Sequence, residues 1–493
     1  MEEDVKTLDS YKITLGNLIT KVDIFWRKNE FVPNYHVSVA NISRTTQLIL
    51  EKIRKEFISK VSIAMEEVSG EEGVDIIRTK FEKEIKHLIE QYFSNLDKET
   101  SDLLISYVIR QNLGLGDIEI LLKDPSLEEI VINNSADPVW VYHRKHGWLR
   151  TNVIMPNEAR IRHYSTMIAR DVGRDITLLN PLLDAHLKSG DRVNATLHPI
   201  SDFGNTITIR KFSEKPWTIT DFIKANTITY EAAALVWLGI QNELSTLIAG
   251  GTGSGKTSTL NVIANFFPPN QRIISIEDTR ELTLPKQLHW VAMATRLPNP
   301  EGKGGVNMLD LVVNSLRQRP DRILVGEIRR KAEAEVLFEA MHTGHSVYAT
   351  IHANNSKETV DRLTNPPIEI PKQVISALSI ILVQNRNRRT GKRRTFQVAE
   401  VLEGGDPRVI MQYDAHTDTL KSVAKPVKLF ETISMYTGMA EAEIKKDLDE
   451  KVEILKLIVK HNITDVNAIG MIMARYYTGM LNKERDIKAA AQA

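Results

Sequence analysis

The stretch Gly250-Gly251-Thr252-Gly253-Ser254-Gly255-Lys256-Thr257 satisfies the pattern G-x-x-x-x-G-K-[ST] and decides how the second half of the chain is read. It follows an apolar run, STLIAG, that ends at Gly250, and it precedes a helical pattern reaching Phe267, which is the strand-loop-helix context the pattern requires. Glycines there let successive backbone N–H groups converge on phosphate oxygens, and the start of the helix adds partial positive charge. Lys256 would reach the β- and γ-phosphates, and the Thr257 hydroxyl would ligate Mg2+. Gly251, Thr252, Gly253, Ser254, Gly255, Lys256, Thr257 and Ser258 therefore form a candidate nucleoside triphosphate cradle.

Downstream of the cradle, apolar runs alternate with helical patterns: RIISIED, a helix around Met308 to Arg317, RILVGE, a helix over Ala332 to Met341, and HSVYATIH. Such alternation predicts a parallel sheet covered by helices, and the fold class is α/β. Hydrolysis also needs carboxylates near the metal and the attacking water. Glu277 and Asp278 end one run, Glu281 follows shortly after, and Glu327 ends another. In a parallel sheet those strand ends open on the same edge as the phosphate loop. Glu327 stands where many ATPases place an aspartate on the metal, and no N/TKxD guanine-reading signature is present, which favours ATP over GTP. His345 and His352 flank one predicted strand; a spacing of seven puts them on opposite faces, which argues against a shared metal and, by itself, for core or surface histidines.

Upstream, DRVNATL (Asp191 to Leu197) and TITIRKF (Thr206 to Phe212) read as strands carrying Arg192 and Arg210, with turn signals at His198-Pro199 and Gly204-Asn205. EEIVIN (Glu128 to Asn133) and VWVY (Val139 to Tyr142) are further short strands, with a helix around Glu158 to Arg170. From Arg44 to about Asn112 the pattern is helical, with Ile77, Phe81, Ile85, Leu88, Ile89, Tyr92 and Leu96 on one face as core. Beyond Lys425, Ile444, Leu448, Val452, Leu455 and Val459 mark another helical face.

The 493 residues are about three times a typical domain, so two or three domains are expected. Charges nearly cancel, 64 Lys+Arg against 63 Asp+Glu, which excludes a wholesale basic nucleic-acid binder. Zero cysteines remove disulfides, thiolate nucleophiles and cysteine-ligated zinc together. The longest near-apolar stretches, Ala232 to Ile240 and Val374 to Val383, are about half of a membrane span, and the acidic start MEEDVKTLDSYK lacks the features of a secretory signal. A cytoplasmic protein is expected.

Four segments in order, GGTGSGKT, IEDTRE (Ile276 to Glu281), RILVGE (Arg322 to Glu327) and AMHTGHSVYATIH (Ala340 to His352), resemble the Walker A, Asp box, Walker B and His box of the type II/IV secretion ATPase superfamily. The resemblance runs from about Gly114 to Glu400, and LHWVAMATRLPNPEGKGGVNMLDLVVNSLRQRP is most similar to the archaeal branch, the archaellum motors and their pilus relatives. It implies a homo-hexameric, Mg2+-dependent ATPase that drives filament assembly on a polytopic membrane platform protein, with accessory cytoplasmic motor components. Such a motor is cytoplasmic and peripherally held at the membrane through partners. By the same resemblance Lys256 and Thr257 bind phosphate and Mg2+, Glu281 activates water, and Glu327 is the Walker B acid on the metal. His345 and His352 become sensors linking the γ-phosphate to domain motion, while Arg192 and Arg210 are similar to the family's arginine fingers. No zinc module is implied, since bacterial members build theirs from four cysteines.

The expected organisation is a largely helical region at 1–113, an α/β domain at 114–213, a linker at 214–219, a RecA-like P-loop ATPase domain with a mostly parallel sheet at 220–425, and a helical tail at 426–493. The alternative is a DNA-translocating or secretion ATPase of the same P-loop superfamily, the first suggested by the basic run Arg386, Arg388, Arg389, Lys392, Arg393, Arg394. Thr390-Gly391 at its centre reads instead as a solvated hairpin tip, and nucleic acid is not expected as a partner. ATP pulling two hinged domains together, and loss of the γ-phosphate releasing them, would turn chemistry into displacement.

Overall fold

A computed structural model describes residues 5–15, 18–28, 30–38, 46, 48–50, 52, 53, 56, 83–93, 96–113, 115–187, 189–212, 216–299 and 301–490. The chain divides into two units, Met1–Ser213 and Glu214–Ala493. Of the stripe expected before Leu96, Ile77 and Phe81 lie outside the described residues, as do Glu214 and Lys215 of the expected linker. Ile85, Leu88 and Ile89 are buried with Leu50, Ile53, Leu104 and Val108, and Tyr92 and Leu96 pack against them.

The first unit corrects the expectation of a largely helical start. Three strands occupy it: β1 (Val5–Leu15), β2 (Leu18–Arg27) and β3 (Asn34–Ser38). The sequence reason is an alternation of period two that buries Val22 and Ile24 on β2 and Tyr35 and Val37 on β3. These strands extend a nine-stranded sheet of order β1-β2-β3-β6-β5-β4-β9-β8-β7. Its other members are β4 (Leu127–Ile132), β5 (Pro138–His143), β6 (Gly147–Ile154), β7 (Leu182–His186), β8 (Arg192–Thr196) and β9 (Thr206–Arg210). The fully buried Asp124 ties the added strands to the rest: the Tyr11 hydroxyl donates to it at 2.5 Å and that of Tyr35 at 2.7 Å. Helix Glu158–Asp171 starts where Asn157 accepts from the Arg160 amide, and buries Ile161, Tyr164 and Ile168.

His143, at the end of β5, is buried, and its Nδ1 accepts the amides of Lys145 at 3.1 Å and His146 at 3.3 Å. Burial, and then the His146 ring, push its pKa from 6.5 down to about 4. The folded chain thus keeps this ring neutral where the unfolded chain already binds a proton. Its contribution is complete above pH 6.5 and is lost as the pH falls from 6.5 towards 4, by up to about 3 kcal/mol. Denaturant titrations across that window should show a smaller acid loss for His143→Asn, which retains an acceptor, than for the parent. An identical loss would contradict the assignment.

The second unit is a nine-stranded sheet of order β12-β11-β13-β14-β10-β15-β16-β17-β18. Its strands are β10 (Thr246–Gly250), β11 (Arg272–Glu277), β12 (His289–Ala294), β13 (Arg322–Val325), β14 (Ser346–Ile351), β15 (Ile380–Arg386), β16 (Arg393–Val401), β17 (Pro407–Asp414) and β18 (Thr419–Ser422). β12 through β15 pair in parallel, and β16 to β18 add an antiparallel flank. Every residue of β10, β13 and β14 is buried, as expected for parallel strands covered on both faces.

Helices Lys428–Thr437, Glu441–Lys460, Val466–Tyr477 and Lys483–Ala490 form the C-terminal segment. Their apolar faces, including Ile444 and Leu455, share one core with Trp237, Leu260 and Phe266, so 426–493 is integral to the second unit and not a separate tail. Trp237 stacks on Phe266 at 5.2 Å and donates its indole N–H to the Tyr477 hydroxyl at 2.9 Å. Among the described residues no helix is long and apolar enough to cross a membrane.

Candidate functional site

At the end of β10 the chain turns through Gly251 to Gly255 into helix Lys256–Ala264. A Cβ on Gly250 would stand 2.7 Å from the Gln384 carbonyl of the neighbouring β15, so only glycine permits this close pass. Gly255, the N-cap, has φ 97° and offers no side chain to the first helical N–H groups. Those donors remain available to an anion, which is the arrangement that suits phosphate oxygens. Beside them the buried Ser254 hydroxyl has no partner among the described residues.

From this loop a chain of polar contacts crosses the carboxyl ends of adjacent strands. Lys256 Nζ lies 3.2 Å from the Gly251 carbonyl and 3.3 Å from His352 Nδ1. His352 Nε2 is 3.0 Å from Glu327 Oε1. Glu327 Oε2 accepts from Arg329 at 2.8 and 3.1 Å, and Arg329 Nη1 donates to Asp278 at 2.6 Å. The strand order β10-β14-β13-β11 explains the sequence of these contacts, since each residue follows the end of one strand and meets the residue of the next. Burial, and then the Lys256 ammonium, hold the His352 ring below its ordinary pKa.

Glu277 differs from the other acids. It is 2 % exposed, its Oε1 accepts the amides of Glu281 at 2.8 Å and Leu282 at 3.0 Å, and its Oε2 has no partner among the described residues. Burial raises its pKa to about 7. The Glu277 carboxyl therefore fixes the backbone from which the part-exposed Glu281 side chain projects. Hard oxygens of Thr257 and Glu327 are the donor type Mg2+ prefers. Among the described residues no group of three or more acids and histidines could hold a metal.

His345 is placed apart from this constellation. It precedes β14, at the opposite edge of the sheet from His352, where its Nδ1 lies 3.2 Å from the Ala340 carbonyl and 3.2 Å from the Thr343 hydroxyl. The intervening strand separates the two histidines by roughly 20 Å at about 3.3 Å per residue. Within one subunit, then, only His352 of the pair meets the phosphate loop.

Arg192 and Arg210 belong to the first unit, where they are exposed and face each other in the β8–β9 register. Arg192 makes a bidentate pair with Asp184 at 2.8 and 3.1 Å, a partner with no sequence signal near it.

Two further features escape a sequence reading. Arg329 binds Glu327 and Asp278, although nothing in its spacing sets it apart from the neighbouring Arg330. The basic hairpin between β15 and β16 has a turn at Gly391, with φ 72°, as expected. Its base, however, rests against the phosphate loop, where Arg393 Nε donates to the Gly253 carbonyl at 3.0 Å. A cleft of about 320 Å3 lies here, lined by Gly251, Thr252, Ser254, Asn354, Asn385, Arg386 and Arg388.

The family described as Type II/IV secretion system protein matches residues 112–424. The uncharacterized protein MJ0900 of Methanocaldococcus jannaschii is 33% identical over 384 residues, covering 75% of this chain and 69% of that protein. A putative conjugal transfer protein of Mycobacterium tuberculosis is 32% identical over 310 residues, 60% of this chain and 86% of its own length. The type IV secretion system protein PtlH of Bordetella pertussis is 29% identical over 306 residues, 55% of this chain and 89% of its own length.

Proposed function

The chain belongs to the type II/IV secretion system protein family, and from that premise we propose that it is a Mg2+-dependent ATP hydrolase working as a hexameric motor for an archaellum or pilus-like filament. The reading is carried by the run of contacts from Lys256 through His352, Glu327 and Arg329 to Asp278, laid beside an uncapped glycine-rich helix start.

In this reading the backbone of Gly251 to Gly255 and the side chains of Lys256, Thr257 and Ser258 receive the triphosphate. Mg2+, held by Thr257 and Glu327, would neutralise charge on the β- and γ-oxygens. Glu281 takes the proton of the attacking water from a backbone position that Glu277 sets. His352, between Lys256 and Glu327, registers whether the γ-phosphate is present. His345, Arg192 and Arg210 have roles by family resemblance: the first as a second sensor, the arginines as fingers for the transferring phosphoryl group. The partners would be a membrane platform protein and accessory motor components, with the chain held peripherally at the cytoplasmic face.

The test is phosphate release from ATP by the full chain with and without Mg2+, alongside sedimentation velocity with a non-hydrolysable ATP analogue. Turnover requiring Mg2+, and a six-subunit species, are expected. A monomer without turnover at saturating ATP would refute the reading. Arg192→Ala and Arg210→Ala should lower kcat and leave ATP affinity nearly intact. A loss of affinity with unchanged kcat would remove the finger role.

A further inference from the structure

The hairpin that joins β15 to β16 carries an arrangement that strand pairing alone does not favour. Arg386 and Arg393 are direct cross-strand partners in the antiparallel register. Like charges placed opposite one another on neighbouring strands are destabilising. Two other cations of the hairpin have a carboxylate partner: Arg394 is bidentate to Asp418 at 2.7 and 2.9 Å, and Lys392 meets the same carboxylate at 3.0 Å. Successive residues of a strand point to opposite faces, so Arg394 turning to Asp418 leaves Arg393 on the other side.

That other side is the phosphate loop. Arg393 donates to the Gly253 carbonyl, a backbone oxygen and not a carboxylate, and its Cδ lies 3.6 Å from where a Cβ on Gly255 would sit. Arg386 Nη1 lies 3.1 Å from the corresponding point on Gly253, and Arg386 and Arg388 line the cleft with Gly251, Thr252 and Ser254. The parallel register that sets Gly250 beside Gln384 brings the hairpin there. Ser254, whose buried hydroxyl has no partner among the described residues, lines the same cleft, and Lys256 supplies a further cation. Like charges converging on a glycine-rich anion cradle are repulsive when the cradle is empty and favourable when a polyanion fills it.

We propose that Arg386 and Arg393 form a guanidinium clamp on the polyphosphate of the bound nucleotide, contributed by the same subunit that carries the phosphate loop, with Arg388 at the mouth of the cleft. The inference rests on the nucleotide reading of that loop. It assigns the arginines to binding, as groups that hold the phosphates common to ATP and ADP. Arg386 and Arg393 at the hairpin's base are thereby set apart from the solvated tip, where Arg388 to Lys392 are exposed.

Calorimetric titration of ATP and of ADP, each with Mg2+, into the full chain and into Arg386→Gln, Arg393→Gln, the double variant and Lys392→Gln tests this. Each single loss should weaken both nucleotides by roughly 10-fold and the double by roughly 100-fold, the scale of charge-assisted hydrogen bonds. Lys392→Gln should bind as the parent does. Thermal melts provide a second readout: without nucleotide the Arg386→Gln and Arg393→Gln chains should melt no lower than the parent, because a repulsion has been removed, while their gain on adding ATP should shrink.

A double variant that binds both nucleotides as tightly as a binding-competent parent would overturn the clamp alone. A nucleotide-free melt lowered by several degrees would overturn it too, since the arginines would then be structural. Unchanged nucleotide affinity with lost retention on anionic phospholipid vesicles or single-stranded DNA would assign the hairpin to another phosphate and also overturn it. A parent that binds neither ATP nor ADP would instead strike the reading of the loop itself.

Discussion

A chain carrying Lys256→Ala should lose ATP turnover by at least about 10³-fold and bind the nucleotide too weakly to saturate. The ammonium stands 3.2 Å from the Gly251 carbonyl and 3.3 Å from His352, so it is already positioned over the loop. Its removal deletes the charge that meets the β- and γ-phosphates and leaves the helix start and the backbone amides as the main remaining attraction. Glu327→Gln provides the contrast. A glutamine retains an oxygen and gains an N–H donor, but it loses the charge that pairs with Arg329 and faces His352. ATP binding should persist, while turnover falls by about 10²- to 10⁴-fold, the range assigned to a positioned acid-base or charge-stabilising group. Affinity from calorimetry and phosphate release from a coupled assay separate the two. If Lys256→Ala hydrolysed ATP at the parent's rate, the site would lie elsewhere in the molecule.

The second large effect lies far from the phosphate loop. Lys451 is fully buried in helix Glu441–Lys460, where its ammonium pairs with Asp447, meets the Tyr476 hydroxyl at 2.9 Å and sits 5.3 Å from the Trp237 ring centroid. Burial pulls its pKa down, yet the pair persists because Asp447 is one turn away on the same helix. Asp447→Ala removes the carboxylate paired with this buried charge, leaving the Tyr476 hydroxyl and the weaker pull of Glu450, and should cost about 3–5 kcal/mol of stability. Replacing both partners by apolar residues, Asp447→Leu with Lys451→Met, should cost far less, since no buried charge is left behind. Equilibrium denaturation of the three chains measures both figures. Trp237 and Phe266 belong to the same core, so loss of ATP binding should track the unfolding of these helices in a single transition. A cost below about 1 kcal/mol for Asp447→Ala would show that water reaches Lys451 and that the pair is not sealed.

The glycine-rich loop, the acids that end RIISIED and RILVGE, and the histidine that ends HSVYATIH were legible because each is a short covalent pattern with its own local consequence. The parallel sheet followed from alternation of fully apolar runs with helical periodicity, and the runs became β10, β11, β13 and β14. Reading the first 113 residues as largely helical failed where the strands are half-exposed: β1 and β2 mix polar residues such as Lys6, Ser10, Lys12, Lys21 and Asp23 among their apolar ones, a weaker signal than the buried strands of the second unit. The helices after Lys425 were legible as helices, but periodicity states only that a face needs a cover. It does not say that the cover is Trp237 and Phe266.

By itself, then, the sequence determined the glycine-rich loop between a strand and a helix, the identity of the acids and histidine near it, and the α/β class, all consequences of residues adjacent or periodic along the backbone. Tertiary structure alone decided which strand lies beside which. That order places His352 between Lys256 and Glu327 and lays Arg386 and Arg393 against Gly253, while the length of β14 parts His345 from them and the packing of helices seals Lys451. The physical reason is that pairing between strands distant in the chain is selected by packing on both faces of the sheet at once, a cooperative property that no local window of residues contains.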